Sequence, residues 1–410
     1  MKIGYLMQAG VPDIRQHPLS GPASHVKHIF DELHNFGHQV LILASIDGQI
    51  WKSADCQDFK PVVIHWLDKG PLRFFERIIR RIQSKLQLPY AAFFESTRFA
   101  AACRQELGDC DLFYERMGWV GYGGGLAACW LGRPLVLEVN GDHLSELKAL
   151  GIEPHGVQRW LSNWLMKDSV NMSVQVIATG EGWRDAFIQR WNVDPEKVNV
   201  IENGTQVVDL LSREQLRSFS MRDPETEPVT IAYVGGFEPW HGLSILLPAA
   251  ARVIQSGADI QLVLIGSGST QGKIHSQARD LCIENEVKFT GHLHIFEMAE
   301  LLSKVDIGIS PYCGRVEYSG LKLLDYKGAG LCIIASGEGD QPHVITHGKT
   351  GWVVPPCDEE ALCEAIDYLA HNPDLRTAMG RQAREEAEKY HRWQHTAQKL
   401  EAIFLQLTDQ

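Results

Sequence analysis

A chain of 410 residues exceeds what one hydrophobic core ordinarily organises, so at least two domains are expected. Its 44% hydrophobic and 22% charged residues are globular values, and a net charge of −12 excludes generic nucleic-acid binding, which needs broad positive potential. No run nears the ~18 apolar residues of a membrane span, and "MKIGYLMQAG" lacks the features of a secretory leader, so a cytoplasmic protein is expected.

From the N-terminus, short β-rich runs alternate with amphipathic helical stretches. Strands are predicted at "KIGYLM", "QVLILA", "VVIHWL", "LFYER", "LVLEVN", "VQVIAT" and "VNVIEN", with helices over 24–36 and 156–170 among those between them. Strands joined by helices imply a parallel, doubly wound sheet. In "GVPDIRQHPLSGPASHVKHIFDEL" Gly21 sits just before a helix and offers a turn on the ligand side of such a sheet. In "RFFERIIRRIQSK" Phe74, Phe75, Ile78, Ile79 and Ile82 share one helical face, beside Arg73, Arg77, Arg80, Arg81 and Lys85. The pattern favours packing of the apolar stripe on the core; peripheral contact of Arg73–Lys85 with the inner face of an anionic membrane is the alternative.

The alternation pauses over 206–228, a polar stretch ending in acidic, proline-rich sequence, which reads as an interdomain linker. A second series follows: "TIAYVGG", "QLVLIG", "VKFTG", "DIGISPY" and "LCIIAS". The predicted architecture is therefore α/β, with two Rossmann-like domains, 1–205 and 229–390, facing a cleft and binding ligands beyond the carboxyl ends of their strands.

The loops of the second half carry the chemistry. "YVGGFEPWHGLSILLPAA" (with Gly235, Gly236 and His241) and "LIGSGSTQGKI" (with Gly266) run from strand through glycines into helix, the arrangement that lets backbone N–H groups approach a phosphate. Neither matches a dinucleotide fingerprint or a Walker loop. "RVEYSGLKLLDYKGAG" places Glu317 and Asp325 eight positions apart around a helix starting near Gly320, with Lys322 in its first turn. Helix N–H groups and a lysine suit phosphates, and carboxylates accept hydrogen bonds from sugar hydroxyls. A nucleotide-sugar combines both. "DCD" at 109–111, "HVKH" (His25, His28) and "HLH" (His292, His294) offer no complete ligand set, so no metal is expected. The nine cysteines are scattered and read as reduced thiols.

Taken in order, "GPASHVKHIFDELHNFGHQVLIL", "LFYERMGWVGYGGGLAACWLGRPLVLEVNGD", "VIATGEGWRDAFIQRWNVDPEKVNVIENG", "VKFTGHLHIFEMAELLSKVDIGISPY" and "HGKTGWVVPPCDEEALCEAI" resemble the retaining glycosyltransferases of family four, which have the GT-B fold. The resemblance covers nearly the whole chain. It implies transfer of a sugar from a nucleotide diphosphate sugar to a glycan, lipid-linked or small-molecule hydroxyl, without metal or other cofactor. It assigns Glu317 to the transferred sugar and Asp325 to the ribose. Ser319, Gly320 and Leu321 form the diphosphate turn, with Lys322 and Arg315 as its cations, and His292 lies on the nucleobase loop. Gly21, Asn140 and His143 fall on the acceptor side, Asn140 where the family commonly has histidine. Gly236 and His241 stand where it usually has arginine and lysine. The last stretch, 391–410, is expected to cross back to the first domain. Two other readings stay open: a catalytically weakened member acting as a scaffold, and a nucleotide-sugar isomerase or epimerase on a double-Rossmann frame.

Overall fold

The computed structural model describes all residues except 11, 17–18, 69–70, 87–88, 150, 221–226, 314–319, 339–341 and 409–410. The chain divides into two compact units, Met1–Ile201 together with Ala397–Gln410, and Glu202–Thr396.

The first unit is built on strands β1 (Lys2–Met7), β2 (Gln39–Ile46), β3 (Gln49–Ser53), β4 (Lys60–Pro61), β5 (Leu112–Arg116), β6 (Leu135–Val139), β7 (Gln175–Ala178) and β8 (Val198–Val200). They lie in the order β4-β3-β2-β1-β5-β6-β7-β8, parallel from β2 to β8, with β3 and β4 antiparallel at one edge. Strands covered by helices on both faces are apolar throughout, and β1 and β6 are nearly continuous buried runs. Behind β5, the helix Gly123–Leu131 comes so close that a methyl group on Gly124 would lie 2.3 Å from a Glu115 carboxylate oxygen. That carboxyl is buried and its pKa is pushed up to about 8 by desolvation, partly offset by the Gly124 N–H.

The second unit has strands β9 (Val229–Val234), β10 (Ile260–Ile265), β11 (Val287–Gly291), β12 (Ile307–Ser310), β13 (Cys332–Ser336) and β14 (Trp352–Val354). They are all parallel, in the order β11-β10-β9-β12-β13-β14. In each sheet the order reverses direction at the central strand, β1 in the first and β9 in the second. The crevice at such a reversal is where doubly wound sheets bind ligands.

Four expectations need correction. "VVIHWL" is not a strand: Pro61 ends β4, and the Asp68 side chain accepts from the Ile64 N–H at 2.8 Å, which closes the helical turn His65–Asp68. The stretch from 206 is not a bare linker. Val207 and Leu211 are buried in the second core, and Arg384 donates to the Val208 and Leu211 carbonyls, both at 2.8 Å. The thiols are not all reduced, because Cys313 and Cys357, 44 residues apart, form a disulfide with Cα atoms 4.6 Å apart. Finally, the apolar stripe of the helix Pro71–Lys85 does not pack on a core. Phe74, Phe75, Ile78, Ile79 and Ile82 are all exposed, Phe74 by 62%. The helix is fastened by its polar side instead: Glu76 accepts from Arg98 and Arg80 at 2.8 Å, Arg98 also reaches Asp68, and Arg80 reaches Glu95.

Candidate functional site

At the carboxyl end of β9 the chain turns through Gly235 and Gly236, and each turn residue is held by a neighbour. The Gly236 carbonyl accepts from the Tyr233 hydroxyl at 2.7 Å and from His241 Nδ1, so that ring nitrogen carries the proton. Gly266, at the end of β10, has φ +129° and sits so close to this turn that a Cβ would fall 2.0 Å from the Gly235 carbonyl oxygen. Gly242 has φ +72° and its Cβ would fall 1.5 Å from the Pro311 carbonyl oxygen, just beyond β12. Here any larger residue is excluded twice, by backbone conformation and by space. Tyr326 ties the two central strands together: its hydroxyl accepts from the Val234 N–H at 2.8 Å and donates to the Ile309 carbonyl at 3.1 Å.

Lys322 enters this cluster from the helix Leu321–Gly328. The residue is 8% exposed, with Nζ 4.9 Å from the Tyr233 ring centre and 4.6 Å from that of Tyr312. Both distances are within cation–π range. A Cβ built on Gly235 would lie 3.3 Å from the same Nζ, so the ammonium stands directly beside the β9 turn. Gly320 caps the helix with φ +59°, and by helix geometry the N–H groups of Leu321 to Leu323 have no acceptor within the helix. A lysine, a glycine turn and a helix N-terminus thus meet at the reversal point of the second sheet. Such an arrangement suits a polyanion.

The flanking loops are also braced. Glu238 accepts from Ser269 N at 3.2 Å and from its hydroxyl at 2.5 Å, so this acid is occupied with the β10 loop. Ser267 Oγ and His292 Nε2 are 2.8 Å apart, joining the β10 and β11 loops. One helical turn after Lys322, Asp325 accepts from the Thr205 hydroxyl at 2.7 Å. Asp325 is partly buried, and desolvation raises its carboxyl pKa from 3.8 to about 7, partly offset by the Thr205 hydroxyl. Glu317, Arg315 and Ser319 lie outside the described residues.

The residues expected on the acceptor side all belong to the first unit, Asn140 and His143 beyond the end of β6 and Gly21 between β1 and β2. Asn140 donates to Glu138, and His143 Nε2 lies 3.1 Å from the Met117 carbonyl. Glu138 is a buried hub that sequence reasoning missed. It also accepts from the Tyr114 hydroxyl and from Arg116 at 3.1 Å, and lies 3.0 Å from His25 Nε2. Gly21 begins the helix Gly21–Asn35, which carries His25. His25 is therefore engaged with a carboxylate. Lys2 occupies the acids of "DCD", through its side chain at Asp109 and its backbone N–H at Asp111.

Comparison with known proteins bears on this geometry. Residues 19–207 match the family model described as Glycosyltransferase Family 4, and 217–386 match that described as Glycosyl transferases group 1. The chain belongs to glycosyltransferase family 4.

Among curated relatives, glycogen synthase of Mycobacterium tuberculosis is 25% identical over 63% of this chain and 58% of its own length. This family 4 chain thus matches little more than half of that relative. Alpha-maltose-1-phosphate synthase of Mycolicibacterium smegmatis is 26% identical over 70% of this chain and 76% of its own. The fold is GT-B. Sucrose-phosphate synthase of Thermosynechococcus elongatus superposes with a TM-score of 0.74 at 20% identity, covering 100% of this chain and 99% of that one. Anabaena HepE in complex with UDP gives 0.70 at 18%, covering 99% and 100%.

Within this family 4 site, Asp325 makes stability depend on pH. Its folded pKa exceeds its unfolded value, so its contribution is fully present below pH ~4 and is lost as pH rises to about 7. Asp325→Asn is therefore expected to gain on the wild type from pH 4 to 7, by ~2 kcal/mol after a discount for the residue's partial exposure. Urea titrations of both proteins at pH 5 and pH 8 check this; an equal difference at both pH values contradicts it.

Proposed function

We propose that the protein is a retaining glycosyltransferase, moving a sugar from a nucleoside diphosphate to an acceptor hydroxyl. The observation that carries this is the buried Lys322 ammonium beside the Gly235 turn and the helix start at Gly320. As the anomeric C–O bond breaks, negative charge grows on the departing diphosphate. A fixed cation and aligned N–H groups in a crowded site stabilise that charge without reorganising. Asp325 accepts from a ribose hydroxyl, in the same direction in which it now accepts from Thr205. His292 borders the nucleobase, and Glu317 serves the transferred sugar. Gly236 and His241 leave less positive charge at the β9 turn than arginine and lysine would, so Lys322 carries most of the leaving-group stabilisation. Asn140 and His143, positioned by Glu138 and Met117, meet the acceptor side. Residues of this chain supply the charge, so metal is not required.

A thermal-shift screen of UDP, GDP and ADP tests the reading, UDP first because Anabaena HepE was solved with it. The matching nucleotide at ~100 times its Kd stabilises by ~2.7 kcal/mol. NMR of the anomeric proton in the product then shows retention or inversion. No shift with any nucleoside diphosphate favours a scaffold, and conversion of the sugar nucleotide without an acceptor product favours an isomerase.

We further infer that the helix Pro71–Lys85 rests on an anionic membrane face, making the protein peripheral. Among the described residues no helix is long and apolar enough to cross a membrane. This one instead exposes five large apolar side chains beside a row of arginines. Phe75→Glu with Ile79→Glu is expected to abolish co-sedimentation with phosphatidylglycerol vesicles and to spare nucleotide binding. Unchanged sedimentation contradicts the inference.

A further inference from the structure

A cavity of about 580 Å³ lies wholly within the first unit, between the helices His143–Ala149, Gly156–Met172 and Glu181–Trp191. Its volume is that of a small-molecule site. Two indoles in its lining, Trp160 and Trp164, are 65% and 55% exposed. They lie four residues apart and so share one helix face. Tryptophan is seldom left this exposed without a use, because its large apolar surface gains most from burial. Trp191, which also lines the cavity, is buried.

Charge gives the second observation. Lys148, Arg159, Lys167 and Arg190 line the cavity against one acid, Glu153, in a chain whose net charge is −12. Arg190 is bound to Asp142, which fixes one edge of the rim. Between the two indoles in sequence, Asn163 also lines the cavity, and its Oδ1 is buried with no hydrogen-bond partner among the described residues. A buried amide oxygen is costly unless a ligand or water donates to it.

We propose that this cavity binds an acidic saccharide. The indoles stack on the C–H faces of pyranose rings, the Asn163 amide oxygen accepts from a hydroxyl, and Arg159 and Lys167 pair with carboxylate or phosphate groups. A simple anion has no use for the indoles, and a neutral sugar has none for the cations. Binding here does not require transfer, so it can hold or fail independently of the reaction proposed above.

The test is calorimetric titration of the full chain with tetragalacturonate, maltotetraose and inorganic phosphate. Tetragalacturonate is expected to bind at least tenfold more tightly than either of the others, and less tightly as salt rises. Trp160→Ala with Trp164→Ala, and separately Arg159→Ala with Lys167→Ala, should each weaken it at least tenfold. Both pairs should leave the melting temperature and the nucleotide-induced shift unchanged, since these side chains lie at the surface. Absence of tetragalacturonate binding, equal binding of maltotetraose, or full binding in the tryptophan variant overturns the proposal. So does loss in that variant of binding to phosphatidylglycerol vesicles alone, which would make the patch a membrane contact.

Discussion

Lys322→Met is expected to lower turnover about 10²–10³-fold, the range for removing one preorganised group that stabilises transition-state charge. Methionine keeps most of the length and packing beside Tyr233 and Tyr312, and removes the charge together with its cation–π contacts. Ground-state nucleotide affinity should fall much less, because the diphosphate gains its extra charge only as the sugar departs. Turnover per folded molecule separates the roles: a purely structural lysine would lower stability on removal and leave that turnover unchanged. Wild-type turnover in the variant would remove the cation from the mechanism, leaving the helix N-terminus alone.

Gly242→Ala is expected to cost at least ~3 kcal/mol, or to prevent folding. The added methyl would fall 1.5 Å from the Pro311 carbonyl oxygen, in a backbone conformation with φ +72°. Relief requires moving the segment after β12, which carries Tyr312 and Cys313, away from the β9 turn. Gly257→Ala is the control: it has φ +103° but open space around its Cβ position, so only backbone strain of ~1 kcal/mol applies. Denaturant titration of the two proteins compares them. Equal costs would show that strain alone matters and that the approach of Pro311 does not.

The central strands were legible because a parallel strand covered on both faces leaves an unbroken apolar run, as in "KIGYLM" and "LCIIAS". Edge strands lack that mark. "QIWKS", next to the edge between β2 and the two-residue β4, carries glutamine and lysine, and "WVV", at the edge of the other sheet, is three residues long. The glycine loops were visible in sequence, but the reason each glycine is required was not. It lies in a carbonyl from another loop: Pro311 for Gly242 and Gly235 for Gly266. Long-range pairs left no local trace. Glu138 joins residues 113, 24 and 22 positions away, and Thr205 meets Asp325 across 120. The membrane-helix ambiguity was real at the level of periodicity. A 3.6-residue stripe reports that one face is apolar, while the Glu76–Arg98 contact decides which face turns inward.

The path of the chain has a consequence for truncation. The second unit is an insertion whose two ends are laced together: Thr205 N donates to the His391 carbonyl at 2.8 Å, and the Thr396 hydroxyl to the Glu202 carbonyl at 2.9 Å. The residues that follow complete the other unit. Phe404 packs edge-on against Tyr114 with ring centres 5.4 Å apart, and Glu401 holds His38 at 2.7 Å. A stop codon near position 397 would therefore strip the last helix from the unit that begins at Met1, baring Tyr114 beside the Glu138 hub. The piece of chain translated just before the stop would keep its own core and its Lys322 pocket, so the lesion would surface some 280 residues upstream of the codon that caused it.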